Sequence, residues 1–164
     1  ALPELMERLA AAPARAAGAA GNYGVTPPAA RIEQNLPNIA RLFAPDTLEE
    51  VLAGLEAEDS DWARSELATL RSKSPLSCKV SLRLLREGAG RESFEDEMRA
   101  EYALATRVVQ THDFVEGVRA LLIDKDNQPE WKPAVPEAVL DDTVDQLFVD
   151  LPPEEAWTPF PEAA

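Results

Sequence analysis

Apolar residues recur at spacings of three and four over most of this sequence, and that period predicts helices rather than strands. Residues 46–58 show it best. Leu48, Val51, Leu52 and Leu55 form one stripe, Asp46 and Thr47 stand where an N-cap belongs, and Glu49 and Glu50 fall in the first turn, which favours acids. The same pattern predicts helices over 2–12 (Leu2, Leu5, Met6, Leu9) and around 31–43 (Ile32, Leu36, Ile39, Phe43). Ser60 opens another, with Trp62, Leu67 and Leu70 apolar. Ser74-Pro75 starts a helix over 75–87 that Gly88 ends. Ser93 with Asp96 starts one running to about 111, with Phe94, Met98, Tyr102, Ala105 and Val109 in register. Asp113 with Glu116 reads as a capping box opening a helix through Ile123, its Val118, Leu121 and Leu122 facing the core. A short helix over 141–149 carries Val144, Leu147 and Phe148. No alternation of β-branched and aromatic residues exceeds four positions, so the expected fold class is all-α, with about seven helices.

Two stretches break the pattern. Residues 13–30 are small, Gly- and Pro-bearing, and read as a flexible connector. From Gln128 onward prolines and acids accumulate with Lys132 as the one base, which predicts an extended, mobile tail around the short helix. The expected organisation is an N-terminal helix and connector over 1–30, a helical domain over 31–134 and an acidic Pro-rich tail over 135–164.

Composition narrows the function. The 164 residues carry 30 acidic and 16 basic side chains, a formal charge of −14. Such a chain is a poor partner for nucleic acid or an anionic membrane, because both interactions rest on phosphate neutralisation. Neither a secretory signal nor a transmembrane stretch is present, and the expected location is cytoplasmic. One cysteine, Cys78, and one histidine, His112, leave no basis for a disulfide or a zinc site of the usual kind, and make His112 the lone candidate base for any triad.

Three features are candidates for chemistry. Between 71 and 91 six bases face one acid, Glu87, and Lys79, Arg83 and Arg86 share a helix face. That face either pairs with acids elsewhere in the chain or holds a phosphate. Lys125 follows a helix end, where it either complements the dipole or reaches a phosphate. His112 beside Asp113, and Cys78 on an apolar stretch, read as a helix-start residue and a small core residue. Trp131 reads as a packing anchor.

The segments SPLSCKVSLRLLREG (74–88) and FEDEMRAEYALATRVVQTHDFVEGVRALLIDKDNQPEWKP (94–133) resemble the C-terminal helices of the crotonase (enoyl-CoA hydratase/isomerase) superfamily. Asp113-Glu116-Gly117, Leu121-Leu122, Lys125, and Pro129 with Trp131 supply its pattern. Within it, the residues from Ser74 to Arg83, His112 to Ala120 and Leu122 to Trp131 are similar to the 3-hydroxyisobutyryl-CoA hydrolase branch. The resemblance implies a CoA-thioester hydrolase of valine degradation with no separate cofactor. It implies that these helices cover an active site, that an N-terminal β/α spiral core of the same polypeptide holds the catalytic groups, and that copies associate as a homo-oligomer. No residue here receives a catalytic role, and the chain by itself is expected to be inactive. Lys125, Lys79 and Arg83 match positions that imply CoA binding; no metal is implied. A hydratase or isomerase of the same superfamily, and a non-catalytic helical interaction module, are the alternatives.

Overall fold

The computed structural model describes residues 2–11, 30 and 32–158. All secondary structure among them is helical, with eight α-helices and no strand. The all-α expectation therefore holds. The expected connector at 13–30 lies outside the described residues but for Ala30.

The chain divides into two compact units, 1–41 and 42–164. In the first, α1 (Leu2–Ala11) has Glu4 in its first turn, and a 3-10 turn (Glu33–Asn35) leads into α2 (Leu36–Leu42). The last residue of α2, Leu42, belongs to the second unit.

The second unit has two core clusters. In one, Leu42, Val51, Leu55 and Ala63 are buried, with Trp62, Leu67 and Leu70 packed against them. This cluster joins α3 (Leu48–Ala57) to α4 (Asp61–Arg71), and it uses the stripe read from the sequence. Thr47 caps α3. Its hydroxyl accepts from the Glu50 N–H at 3.2 Å, and the Glu50 carboxylate accepts from the Thr47 N–H at 3.3 Å. Thr47→Ala removes the hydroxyl half of this box, leaves the backbone N–H that Glu50 accepts from, and is expected to lower the unfolding free energy by about 1 kcal/mol. Urea titration checks it, with Thr47→Ser retaining the wild-type midpoint.

The other cluster buries Leu76 and Val80 from α5 (Pro75–Ala89), Leu104 from α6 (Phe94–Val108), and Val139, Val144 and Leu147. The last two come from α8 (Asp141–Leu147). The tail is thus not an extended appendage over this stretch, since three of its aliphatic side chains complete a core. Polar ties add to them. Lys79 of α5 donates to the Val139 carbonyl and pairs with Glu49 at 2.7 Å, while Arg83 pairs with Asp145 at 2.5 Å and lies 4.3 Å over the Phe148 ring.

Several local expectations are corrected. α5 passes through Gly88 and ends at Ala89, with Gly90 as C-cap at φ −96, so no left-handed residue stops it. On α6 the buried residues are Ala103 and Leu104, whereas Phe94, Tyr102 and Val109 are exposed. An apolar residue every fourth position drifts around a helix of 3.6 residues per turn, and the real core face is the Ala-rich one beside it. The helix α7 (His112–Val118) is capped by Thr111, whose hydroxyl accepts from the Phe114 N–H at 3.3 Å, and not by Asp113. It continues as a π-helical turn (Arg119–Ile123) closed by the Asp124 N–H on the Arg119 carbonyl at 2.8 Å. Leu121 and Leu122, expected in the core, are exposed at 55% and 68%.

Candidate functional site

Those exposed leucines border the main concavity of the second unit. It is a cleft of about 850 Å³ between α5, α7 and the segment that follows the π-helical turn. Leu82, Leu85, Phe114, Leu121, Leu122 and Trp131 supply apolar walls. Leu85 at 74% and Phe114 at 43% share the exposure. Its few polar groups come from Lys73, Ser74, Ser77, Ser81, Asp113 and Asn127. An apolar hollow with a few convergent polar groups is the usual form of a binding site.

The shape of this cleft depends on a latch of carboxylates. Asp113 is 3% exposed. Its Oδ2 accepts from the Ser74 hydroxyl at 2.5 Å, and its Oδ1 accepts from the Lys132 N–H at 2.8 Å and lies 3.1 Å from His112 Nδ1. Ser74 acts twice, because the same oxygen accepts from the Ser77 N–H at 3.0 Å and so caps α5. One turn on, Glu116 Oε1 accepts from the Glu130 N–H at 2.8 Å. Asp113 and Glu116 together therefore hold the main chain of 130–132 against α7. The Trp131 ring packs over Gly117, where a Cβ would stand 3.5 Å from it in ordinary van der Waals contact. The indole N–H donates to the Ser72 carbonyl at 3.1 Å, which makes Trp131 the packing anchor expected of it.

Arg119 organises the turn behind the latch. Its guanidinium makes a two-toothed pair with Glu116 at 2.8 and 2.9 Å and also holds Asp124 and Asp126, each at 2.7 Å, and the Gln128 carbonyl. These bonds hold the Glu116 carboxyl down at about 2, through Arg119 first and the Glu130 N–H second. Asp126 is lowered by Arg119 in the same way. A carboxyl depressed on folding stabilises the fold above its ordinary value of 4.5 and loses that contribution as pH falls toward 2. We therefore expect the turn to loosen across that window. Amide exchange at Glu130 measures it, and protection that stays constant from pH 5 to 2 would count against the latch.

The sequence singles out Asp113 and Glu116 but misassigns them as caps, and it misses Arg119. The available signal was Glu116 and Arg119 at i, i+3, followed by two acids flanking Lys125.

The three candidate CoA-binding residues are not brought together. Lys79, with its ammonium on Glu49 and 16% side-chain exposure, and Arg83, held by Glu87 at 2.6 Å and by Asp145, line a second depression of about 280 Å³. Cys78, Ser81 and Leu85 face the cleft instead. Lys79 and Arg83 thus tie α5 to α3 and α8. Lys125 lies beyond α7, exposed, with its backbone at φ 57. Ser74 and His112 each bond to Asp113 rather than to one another, which is not a nucleophile–base pair. Burial raises the Cys78 thiol, which disfavours the thiolate. Among the described residues no group of three or more His, Cys, Asp or Glu is placed to hold a metal ion. No helix among them is long and apolar enough to cross a membrane.

Residues 1–148 match the family model described as enoyl-CoA hydratase/isomerase. Over 120 residues the chain is 40% identical to the mitochondrial 3-hydroxyisobutyryl-CoA hydrolase of Xenopus laevis and 36% identical to that of Homo sapiens. In each case the match takes in 73% of this chain and 31% of the relative, so the chain spans about a third of the length of these proteins. Among solved structures, a carnitinyl-CoA dehydratase from Mycobacterium thermoresistibile superposes with a TM-score of 0.81 at 28% identity, covering 93% of this chain and 43% of that one. An enoyl-CoA hydratase from Rhodobacter sphaeroides gives 0.74 at 35% identity, covering 87% and 43%. The expected cytoplasmic location is corrected by the hydrolase relatives, which are mitochondrial proteins. That expectation rested on missing signals, and a missing signal does not specify a compartment. On the family match and the shared fold, the chain belongs to the crotonase superfamily, as a C-terminal portion of the enoyl-CoA hydratase/isomerase family that is homologous to 3-hydroxyisobutyryl-CoA hydrolase.

Proposed function

We propose that this chain is the helical part of a CoA-thioester hydrolase acting on 3-hydroxyisobutyryl-CoA, that it covers the active site, and that it helps hold CoA. The open apolar cleft carries the reading. Leu85, Phe114, Leu121 and Leu122 stand in water around an 850 Å³ hollow. A chain that spans 31% of its relatives would set such a surface against further polypeptide and substrate. The hydrolase identity of 40% supports the choice of reaction. Thioester hydrolysis needs oxyanion donors and an activated water. Neither is assigned to a residue here, so the 164 residues alone are inactive and residues 31–134 serve as the covering domain.

Lys125 is the residue we assign to a CoA phosphate. It is exposed and makes no ion pair among the described residues, and it stands just past the π-helical turn with its backbone in the left-handed region at φ 57. Lys79 and Arg83, committed to Glu49, Glu87 and Asp145, contribute structure.

The test is CoA release from 3-hydroxyisobutyryl-CoA by the product of the longest reading frame that contains this sequence, with the 164-residue chain alongside. Release by the long product alone is the expected result. Hydration of crotonyl-CoA without thioester cleavage would favour a second reading, a hydratase or dehydratase, which the two superposed structures support.

A further inference from the structure

Arg119 has every N–H donor of its guanidinium engaged. Nε and Nη2 hold Glu116, Nη1 holds Asp124 and Asp126 at 2.7 Å each, and Nη2 donates again to the Gln128 carbonyl at 3.1 Å. Three of the four partners fall within the five residues 124–128, so one side chain gathers a whole loop. Main-chain bonds close the same loop. The Asp124 N–H donates to the Arg119 carbonyl at 2.8 Å, and the Asn127 N–H to the Ala120 carbonyl at 3.1 Å. The Asp126 carboxylate also accepts from the Gln128 N–H at 2.9 Å.

The loop needs this hold. Lys125 and Asn127 stand at φ 57 and 55, in the left-handed region, and neither is a glycine. Such a backbone persists where its surroundings over-determine it. The rigid planar fork of an arginine supplies that constraint, whereas a lysine offers three donors on a flexible stem.

Arg119 is not among the residues lining the cleft, yet the segments on either side of its partners are. Leu121 and Leu122 line it before the loop, Asn127 within it and Pro129 just after it. Lys125 stands between two aspartates in the chain, and both pair with Arg119, which leaves the lysine exposed and out of any ion pair with them.

Resting on the CoA reading above, we propose that Arg119 is a positioning residue for CoA binding, acting through the 124–128 loop to hold Lys125 in the conformation that binds. Apparent affinity scales with the fraction of molecules in that conformation, so the cost of losing Arg119 falls on binding rather than on the chemical step.

The experiment uses the product of the longest reading frame, with equilibrium binding of CoA and of pantetheine, which lacks the phosphates, measured beside thioester turnover. Lys125→Ala is expected to weaken CoA binding about tenfold, as losing one charge-assisted contact does. Arg119→Met should lose most of the same factor, raise KM more than it changes kcat, and leave pantetheine binding near wild type. Arg119→Lys keeps the charge without the fork and should recover only part of the loss. In a Lys125→Ala background Arg119→Met should add little, since the arginine acts through the lysine. Asp126→Ala separates positioning from electrostatics and keeps the test open should Arg119→Met fold poorly. It removes a negative charge one residue from Lys125, so the field alone would tighten binding of an anion. Positioning requires weaker binding instead, at a melting temperature close to wild type. CoA affinity at or above wild type in Asp126→Ala and Arg119→Met, with Lys125→Ala weakened, would overturn the positioning role and leave the Lys125 contact standing. Equal losses from Arg119→Met in both backgrounds would overturn it as well. Wild-type affinity in Lys125→Ala would remove the phosphate assignment and the proposal with it, and thioester turnover would still decide the hydrolase reading. Arg119-dependent CoA binding in a protein that turns over no thioester would support the proposal and remove the hydrolase. A wild-type protein that binds no CoA would overturn both.

Discussion

Ending the chain after Val135 is expected to unfold the second unit at room temperature. The deletion removes Val139, Val144 and Leu147, each at most 8% exposed, and opens Leu76, Val80 and Leu104 to water. Burying one aliphatic side chain contributes roughly 1.5–3 kcal/mol, so the three together are worth on the order of 5 kcal/mol. That is comparable with the whole stability of an ordinary domain, about 5–15 kcal/mol. The deletion also leaves Arg83 without Asp145 and without the Phe148 ring beneath it. A single change tests the same point. Leu147→Asp puts a carboxylate into that cluster with no described partner and is expected to cost about as much as the deletion, since an unpaired charge does not stay buried. Near-ultraviolet circular dichroism during urea titration reads either variant. A midpoint close to wild type in both would show that α8 only decorates the surface.

This part of the molecule also shows what the sequence conveyed and what it did not. Val144, Leu147 and Phe148 were visible as a short helix, because their spacing is local. That the helix closes a core with α5 and α6 was not, because prolines and acids around it carry the composition of a solvated tail. Every residue of α8 that is not buried faces water, and those residues set its average. On α3 the stripe read from the sequence supplies the buried residues Leu48, Val51 and Leu55, while on α4 the apolar residues read from the sequence pack around a buried Ala63. On α6 the apolar residues spread around the helix, and tertiary context selected Ala103 and Leu104 over the larger Phe94 and Tyr102. Size is a weak guide there, since close approach of two helices favours small side chains.

The site was legible as a motif and opaque as a mechanism. The resemblance located Asp113, Glu116, Gly117 and Trp131 as one group, whereas local rules explained the two acids as a capping box. Both rules concern neighbours within four residues. The bonds that matter run from Ser74 to Asp113 and from Asp113 to Lys132, separations of 39 and 19 residues. Thr111 already caps α7, which frees Asp113 for those longer reaches. The basic face over Lys79 and Arg83 met a similar fate. In a chain so rich in acid, its cations were drawn to Glu49, Glu87 and Asp145.

Asp113→Ala is expected to be the most damaging single change that alters no apolar contact. Its carboxylate joins the start of α5, the start of α7 and the main chain before Pro133, and it does so out of water. Alanine leaves the Ser74 hydroxyl proton and the Lys132 N–H without their acceptor. Each stranded donor costs about 1–3 kcal/mol when no water reaches it, so the loss is roughly 2–5 kcal/mol. Asp113→Asn keeps an acceptor for the Lys132 N–H and is expected to lose less, because only the charge-assisted bond from Ser74 is weakened. Ser74→Ala removes the other end of that bond together with the α5 cap, and costs about 1–2 kcal/mol. If the serine and the carboxylate act as one latch, the double variant loses less than the sum of the two singles. Additive losses in that cycle, measured by urea titration, would mean that Ser74 acts as a cap alone and that Asp113 holds only the 130–132 segment. In the active long product the same variants should lower CoA affinity along with stability, since the latch holds the main chain of 130–132 against α7 at the cleft. Restored affinity in Asp113→Asn at partly restored stability would separate the positioning role from a general loss of fold.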